Sequence, residues 1–233
     1  MMLHWLPINI STYGHKIDHV ILVIYLIVGI WFLLAEGILG YFIIRYHRSK
    51  GQPAIFQPGT SLRSLMWVLI PAALVLAFDI GIEVVQGPIW EEIKMNLPEK
   101  PDQTIRIRGR QFVWEITHPG PDGRLDTADD IKTFNQLTIP VHQKIVFELQ
   151  AEDVIHSLWI PNLRLKQDAV PGRTIRGWFE TMQTGTYPIA CAELCGSGHG
   201  TMQGQLHVMD FADYQKWLAE QTPSGEGATS GTP

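Results

Sequence analysis

Cys191-Ala-Glu-Leu-Cys195-Gly-Ser-Gly-His199-Gly-Thr-Met202 is the stretch from which the rest of the chain can be read. It holds the 2 cysteines of a 233-residue sequence. His199 follows Cys195 by four positions, and Met202 follows His199 by three. Thiolate, imidazole and thioether are the donors that soft and borderline transition metals prefer. Gly196, Gly198 and Gly200 let the backbone curl enough for these donors to converge. Far upstream, His156 in Val-Ile-His-Ser-Leu-Trp can supply a second imidazole. Three other readings use only part of this set. A disulfide leaves His199 and Met202 without a role. A Cys2His2 zinc site has no use for a thioether. Buried free thiols sit poorly in a glycine-rich loop. Donor types favour copper, with zinc and a disulfide as the alternatives.

The pattern Cys-x-Glu-x-Cys-Gly-x-x-His-x-x-Met resembles the copper-A motif of subunit II of the haem-copper oxidases. Ala151-Glu152-Asp153-Val154-Ile155-His156-Ser157-Leu158-Trp159 and Leu165-Lys166-Gln167-Asp168-Ala169-Val170-Pro171-Gly172-Arg173 are similar to that family too. The likeness extends from the apolar N-terminal half to about residue 210. It implies a dinuclear copper centre bridged by Cys191 and Cys195, with His156 and His199 each on one copper. Met202 and the backbone carbonyl of Glu193 are then the weak axial ligands. The same resemblance gives the Glu193 carboxylate a magnesium or manganese ion at the junction with the catalytic subunit.

Outward from the motif, the chain changes character near Trp90. Val20 to Ile44 is 25 residues with one formally charged side chain, Glu36, which is long enough to cross a bilayer as a helix. A second candidate span runs from about Leu65 to Val85; Pro71 is tolerable there because neighbours can satisfy the freed carbonyl. The connection 45–63 holds Arg45, Arg48, Lys50 and Arg63 and no acid. The positive-inside rule therefore places it in the cytoplasm and both termini outside. The first 19 residues lack the basic start and small-residue cleavage site of a signal peptide, so the first span is expected to be retained.

Residues 90–233 contain 19 Asp and Glu against 13 Lys and Arg. Short alternating or apolar runs at 104–108, 112–117, 136–139, 144–151, 156–160, 173–180, 185–190 and 203–209 read as strands of a sandwich or barrel. Asp213–Glu220 reads as a terminal helical turn. The resemblance makes the whole a membrane-anchored α+β chain: a two-helix transmembrane hairpin followed by a cupredoxin Greek-key β-sandwich. The expected divisions are 1–89 for the N-terminal segment and hairpin, 90–220 for the copper domain, and 221–233 for a disordered tail rich in Gly, Ser, Thr and Pro.

Several side chains carry weaker expectations. Gly109-Arg110-Gln111-Phe112-Val113-Trp114 is similar to the family's aromatic strand, where a tryptophan marks electron input from cytochrome c. Here Phe112 stands at that position and Trp114 matches the next tryptophan, so both are candidates, against a plain role in the core. Two residues apart on a strand, they are expected to share a face. Glu152 and Asp153 can steer a basic donor or be solvated surface acids. Asp122, Asp126, Asp129 and Asp130 can hold calcium or form a solvated turn; their spacing is not that of an EF-hand. Glu36, Asp79 and Glu83 lie in or near the membrane, where ionisable groups are costly and often functional. Ser64 stands roughly where the family often has a glutamate that opens a proton path.

The function expected from the resemblance is subunit II of a terminal oxidase in the inner (cytoplasmic) membrane, multi-pass, with its copper domain on the periplasmic or outer side. It takes electrons from cytochrome c or another donor and passes them to a haem-bearing catalytic subunit I, with a subunit III beside it. The chain lacks a Cys-x-x-Cys-His haem-attachment sequence, so no haem of its own is expected. No nucleic-acid partner is expected; the lipid membrane is. The alternative is the copper-A subunit of a membrane nitric oxide reductase. From another class stands a copper-storage or copper-delivery protein.

Overall fold

The structure, a computed structural model, describes residues 5–51, 53–56 and 58–221. The tail expected to be disordered lies, Gln221 apart, outside the described residues. The chain divides into two compact units, Lys16–Trp90 and Met1–His15 with Glu91–Pro233.

The first unit is built from α1 (Gly14–Arg45) and α2 (Leu62–Trp90), the latter running on through a π-helical turn, Glu91–Met95. The candidate spans are 32 and 34 residues long, longer than hydropathy alone delimits. At 1.5 Å per residue each exceeds the roughly 30 Å of a hydrocarbon core. Their apolar side chains face outward: Leu33 is 71% exposed and Trp67 83%. A helix apolar all round has no stable aqueous surface. Trp31 meets Phe78 edge-to-face, with ring centroids 6.2 Å apart. Glu36, Asp79 and Glu83 are exposed, and Glu83 accepts a hydrogen bond from Gln86 at 2.7 Å. Ser61 caps the start of α2, accepting from the Ser64 amide at 3.3 Å, while the Ser64 hydroxyl donates back to the Ser61 carbonyl at 2.8 Å. Ser64 is thus engaged in the helix cap.

The second unit is a sandwich of two five-stranded sheets. Its strands are β1 (Gln103–Arg110), β2 (Val113–His118), β3 (Ile131–Phe134), β4 (Gln136–Pro140), β5 (Lys144–Ala151), β6 (His156–Ile160), β7 (Leu165–Ala169), β8 (Ile175–Glu180), β9 (Gly185–Cys191) and β10 (Gln203–Met209). The sheet orders are β3-β2-β1-β5-β8 and β4-β10-β9-β6-β7. Within them β1 pairs parallel with β5 and β4 with β10; the other pairs are antiparallel. This is the cupredoxin arrangement that the resemblance implies.

Period-two alternation places the core. On β1, Ile105 and Ile107 are buried, while Arg106 between them reaches Asp126 at 2.6 Å and Glu148 at 3.1 Å. Phe147, Leu149 and Phe179 on one sheet and Leu137, Ile139, Leu158, Ile160 and Leu206 on the other are all within 1% of complete burial. At roughly 25 cal/mol per Å² of apolar surface, this core is the main stabilising contribution. The helix α3 (Phe211–Gln221) lays Tyr214 and Leu218 against Ile131.

The N-terminal residues belong to this unit rather than to the hairpin with which the sequence grouped them. Ile10 and Tyr13 are buried, and the Ile10 amide donates to the Asn162 carbonyl at 2.9 Å. The Met182 amide donates to the Ile10 carbonyl at 2.8 Å, and Asn162 Nδ2 to the Ile8 carbonyl at 2.8 Å. The segment strapped across the sandwich pairs its backbone as an added strand would, which a short stretch outside any periodic run does not announce. Burial raises the Tyr13 phenol well above its ordinary value.

Candidate metal centre

Four loops and strand ends converge at one place. His156 opens β6 and is fully buried; Cys191 closes β9. Cys195 follows in the β9–β10 loop, His199 opens a short 3-10 turn, and Met202 precedes β10. Cys191, Cys195 and Met202 are 8%, 3% and 1% exposed, so the donors face inward. Cys191 Sγ lies 3.8 Å from Cys195 Sγ and 4.0 Å from His156 Nδ1. Cys195 Sγ lies 3.7 Å from His199 Nδ1 and 3.8 Å from Met202 Sδ. The Glu193 carbonyl is 3.2 Å from Cys191 Sγ.

These distances discriminate between the chemical readings. A disulfide needs sulfurs about 2.05 Å apart; at 3.8 Å both cysteines are free. Donors that share a metal at about 2.0–2.3 Å sit roughly 3.5–4 Å from each other, the spacing found here. The ligand atoms of His156, Cys191 and Cys195 all lie within 4.8 Å of one another. Two thiols, two imidazole nitrogens, a thioether and a carbonyl exceed what a tetrahedral zinc site uses, and the soft sulfurs suit copper. The residues present therefore fit a copper centre.

The imidazole is aimed by its neighbours. His156 Nε2 lies 2.8 Å from Asp153 Oδ1. An ionised carboxylate only accepts, so Nε2 carries the proton and the Nδ1 lone pair is left toward Cys191. Burial alone would raise the Asp153 carboxyl. Hydrogen bonds from the Gln111 amide, His156 and the Val154 amide together outweigh it and bring the pKa to about 2. Burial, then the adjacent Cys191 thiol, pushes the Cys195 thiol up. A metal must therefore draw that proton off as it binds. Gly109 makes room for the ring, since a Cβ there would sit 3.0 Å from His156 and 3.1 Å from Trp114.

The aromatic candidates separate. β1 ends at Arg110 opposite Val113, so Gln111 and Phe112 are the two turn residues of a hairpin. The expected common strand face does not exist, because Phe112 is not in the strand. Trp114 is fully buried, its ring 6.0 Å from that of His156. Phe112 is half-buried over Gly196 and Gly198. Asp153 and Glu152 are both exposed, but Asp153 is committed to His156 and to the Gln111 amide.

Glu193 is exposed. Among the described residues, His156, Cys191 and Cys195 form the one cluster of three or more such metal-ligating side chains, and Glu193 is not part of it. The aspartates of 122–130 do not converge either: Asp122 accepts from the Arg124 amide at 2.8 Å, Asp130 from the Asp126 amide at 2.9 Å, and Asp126 pairs with Arg106. The sequence reading missed the holding roles of Gln111 and Asp153. The one signal was an acid three residues before the histidine, which also reads as surface charge.

Fold and site together define a class: a membrane-anchored cupredoxin domain whose donor cluster suits copper. The chain belongs to the cytochrome c oxidase subunit II family. The family described as cytochrome c oxidase subunit II, periplasmic domain, matches residues 121–208. Cytochrome c oxidase subunit 2 of Thermostichus vulcanus is 30% identical over 262 residues, covering 91% of this chain and 77% of the relative. The alternative cytochrome c oxidase subunit 2 of Bradyrhizobium diazoefficiens is 28% identical over 242 residues, covering 93% and 83%. The periplasmic domain of cytochrome oxidase subunit II of Bradyrhizobium japonicum superposes with a TM-score of 0.49 at 26% identity, over 54% of this chain and 96% of that one. The chain is thus part of an oxidoreductase complex, and the relatives do not favour the nitric oxide reductase alternative.

Proposed function

We propose that the chain is the electron-input subunit of its oxidase and that its donor cluster holds a dinuclear copper-A centre. Cys191, Cys195, His156 and His199 would hold the two coppers, with Met202 and the Glu193 carbonyl as the weaker donors. The observation that carries the reading is two free thiols 3.8 Å apart, each flanked by an imidazole Nδ1. When bound, a copper pair supplies one-electron storage with the charge spread over two metals and two sulfurs. The protein's own part is to keep those donors fixed and dry. Asp153 sets the His156 tautomer, burial excludes water from the thiols, and the β scaffold limits movement between redox states. The donor is cytochrome c or another periplasmic carrier, the acceptor is the haem-bearing subunit I, and a subunit III completes the assembly. Glu193, exposed beside the cluster, would contribute one ligand to a magnesium or manganese ion at the junction with subunit I.

The test is metal content and electron paramagnetic resonance on the purified full chain. Two coppers per chain with a mixed-valence, seven-line signal are expected; one copper, or zinc alone, would overturn the assignment. The proposed location is the inner membrane, with the basic connection inside and the copper domain on the periplasmic side. Ser49→Cys should resist an impermeant thiol reagent in intact cells. Ready labelling there would reverse the orientation.

A further inference from the structure

We propose that Gln111, with Phe112 beside it, is a clamp that positions the metal loop and sets how readily that loop opens. This rests on the reading of the site as a metal centre. The loop between Cys195 and Met202 has little to hold it from within. It carries three glycines, and its amide bonds are local: His199 to the Gly196 carbonyl at 3.1 Å, Thr201 to Gly198 at 3.0 Å and Met202 to His199 at 3.2 Å. A loop of this composition has much conformational entropy to lose on ordering.

The external hold comes from the β1–β2 hairpin tip. Gln111 Nε2 donates to the Cys195 carbonyl at 2.6 Å. Phe112 fills the space over Gly196 and Gly198, and a Cβ on Gly198 would collide with its ring. The Gln111 backbone amide also donates to Asp153 Oδ2 at 2.7 Å, while Asp153 Oδ1 holds His156. One turn residue thus ties together the two halves of the donor set, the histidine before β6 and the loop before β10. Cys191, Cys195, Met202 and His156 are all buried, so lifting the loop off the hairpin tip opens a way for a metal to reach them. Gln111 touches no metal-ligating side-chain atom. It acts through the Cys195 backbone and through Asp153, which makes it a positioning residue.

The experiment uses the full chain in detergent with two readouts. The first is amide hydrogen exchange at His199, Thr201 and Met202 in the metal-free protein. The second is the rate at which the copper-loaded protein loses copper to a chelator. Gln111→Ala removes the side-chain bond and keeps the backbone one. Loop exchange and copper release should both rise about 2- to 10-fold, the range of one net hydrogen bond. Phe112→Ala should do the same, and Phe112→Tyr, which keeps the ring, should restore wild-type values. Amides of β1 at Ile105 and Ile107 should stay as protected as before. Unchanged loop exchange and release in Gln111→Ala would overturn the proposal. So would an equal rise at Ile105 and Ile107, since that marks a general loss of stability. Exchange is read without metal, so a wild-type chain that takes up no copper sinks the copper reading alone and leaves the clamp to be decided by exchange.

Discussion

His156 and His118 are both fully buried imidazoles of the same β unit, and only one of them sits among metal-type donors. His156 has a carboxylate on Nε2 and a thiol facing Nδ1. His118, at the end of β2, has Thr133 Oγ1 3.5 Å from Nε2, and its Nδ1 has no hydrogen-bond partner among the described residues. Trp217 of α3 covers it edge-to-face, with ring centroids 5.1 Å apart. Burial does not mark a ligand. What marks it is a second group that fixes one ring nitrogen, so that the other meets a donor set.

The largest expected effect breaks the comparison in half. His156→Leu and Cys195→Ser should each abolish the dinuclear signal, because each removes a donor that nothing nearby replaces. His118→Leu, similar in volume, should keep both coppers. Copper lost from His118→Leu, with folding intact by circular dichroism, would show that the two histidines are not functionally distinct.

How much of this was legible follows from the kind of signal each residue carries. The donors of 191–202 were readable because their spacing is short-range and their chemistry unusual. Strands such as Lys144–Ala151 and Gln203–Met209 were readable because apolar residues recur along them. β3 was hidden in four residues behind an aspartate-rich insert, and β7 is an edge strand in which only Leu165 and Ala169 are buried. Phe112 was misread because the reversal at Gln111–Phe112 has no Gly, Asn or Pro within it, and the alternation with Trp114 mimics a strand. The strap at Ile10 and the bond from Gln111 to Cys195 are long-range contacts, which no local pattern announces.

A pH titration sharpens the comparison at the other histidine. Burial pushes the His118 pKa down to about 4, with the Gln136 carbonyl working the opposite way. An unfolded chain protonates this ring near 6.5. Above about 6.5 both states are neutral, and stability from this site is fully present. As pH falls from about 6.5 toward 4, only the unfolded state takes the proton, and the β unit should lose up to about 3 kcal/mol. Asp153, held at about 2, loses its contribution only below about 4, so the two windows separate. Denaturant unfolding of the metal-free chain at pH 7.5 and 4.5 measures the loss. His118→Leu should flatten it, and a loss of the same size in that variant would place the cause elsewhere.

Met202→Leu is expected to act more mildly. The thioether is the weak donor, so copper should remain while the reduction potential shifts. Loss of all copper would make Met202 a structural support rather than a weak copper donor.

The smallest expected effect concerns electron input, and here the two aromatic residues of the hairpin stand against each other. Trp114 is fully buried beneath His156, so a docked donor cannot touch it. Phe112 is half-buried, lies on the loop that carries Cys195 and His199, and keeps an edge toward solvent. A donor haem approaching the hairpin tip therefore meets Phe112 first. Phe112→Leu keeps apolar volume over Gly196 and Gly198 and removes the ring. It should slow electron input about threefold, roughly 0.7 kcal/mol in the barrier, and leave transfer to the internal haems unchanged. Input should also fall with rising salt if Glu152 and its acidic surroundings guide a basic donor, because exposed charges are screened within about 10 Å at 0.1 M. Rapid mixing of the assembled oxidase with its donor separates the two steps. Slower input from Trp114→Phe and not from Phe112→Leu would move the route to the buried ring. Input insensitive to both substitutions and to salt would mean that the donor docks away from the hairpin tip.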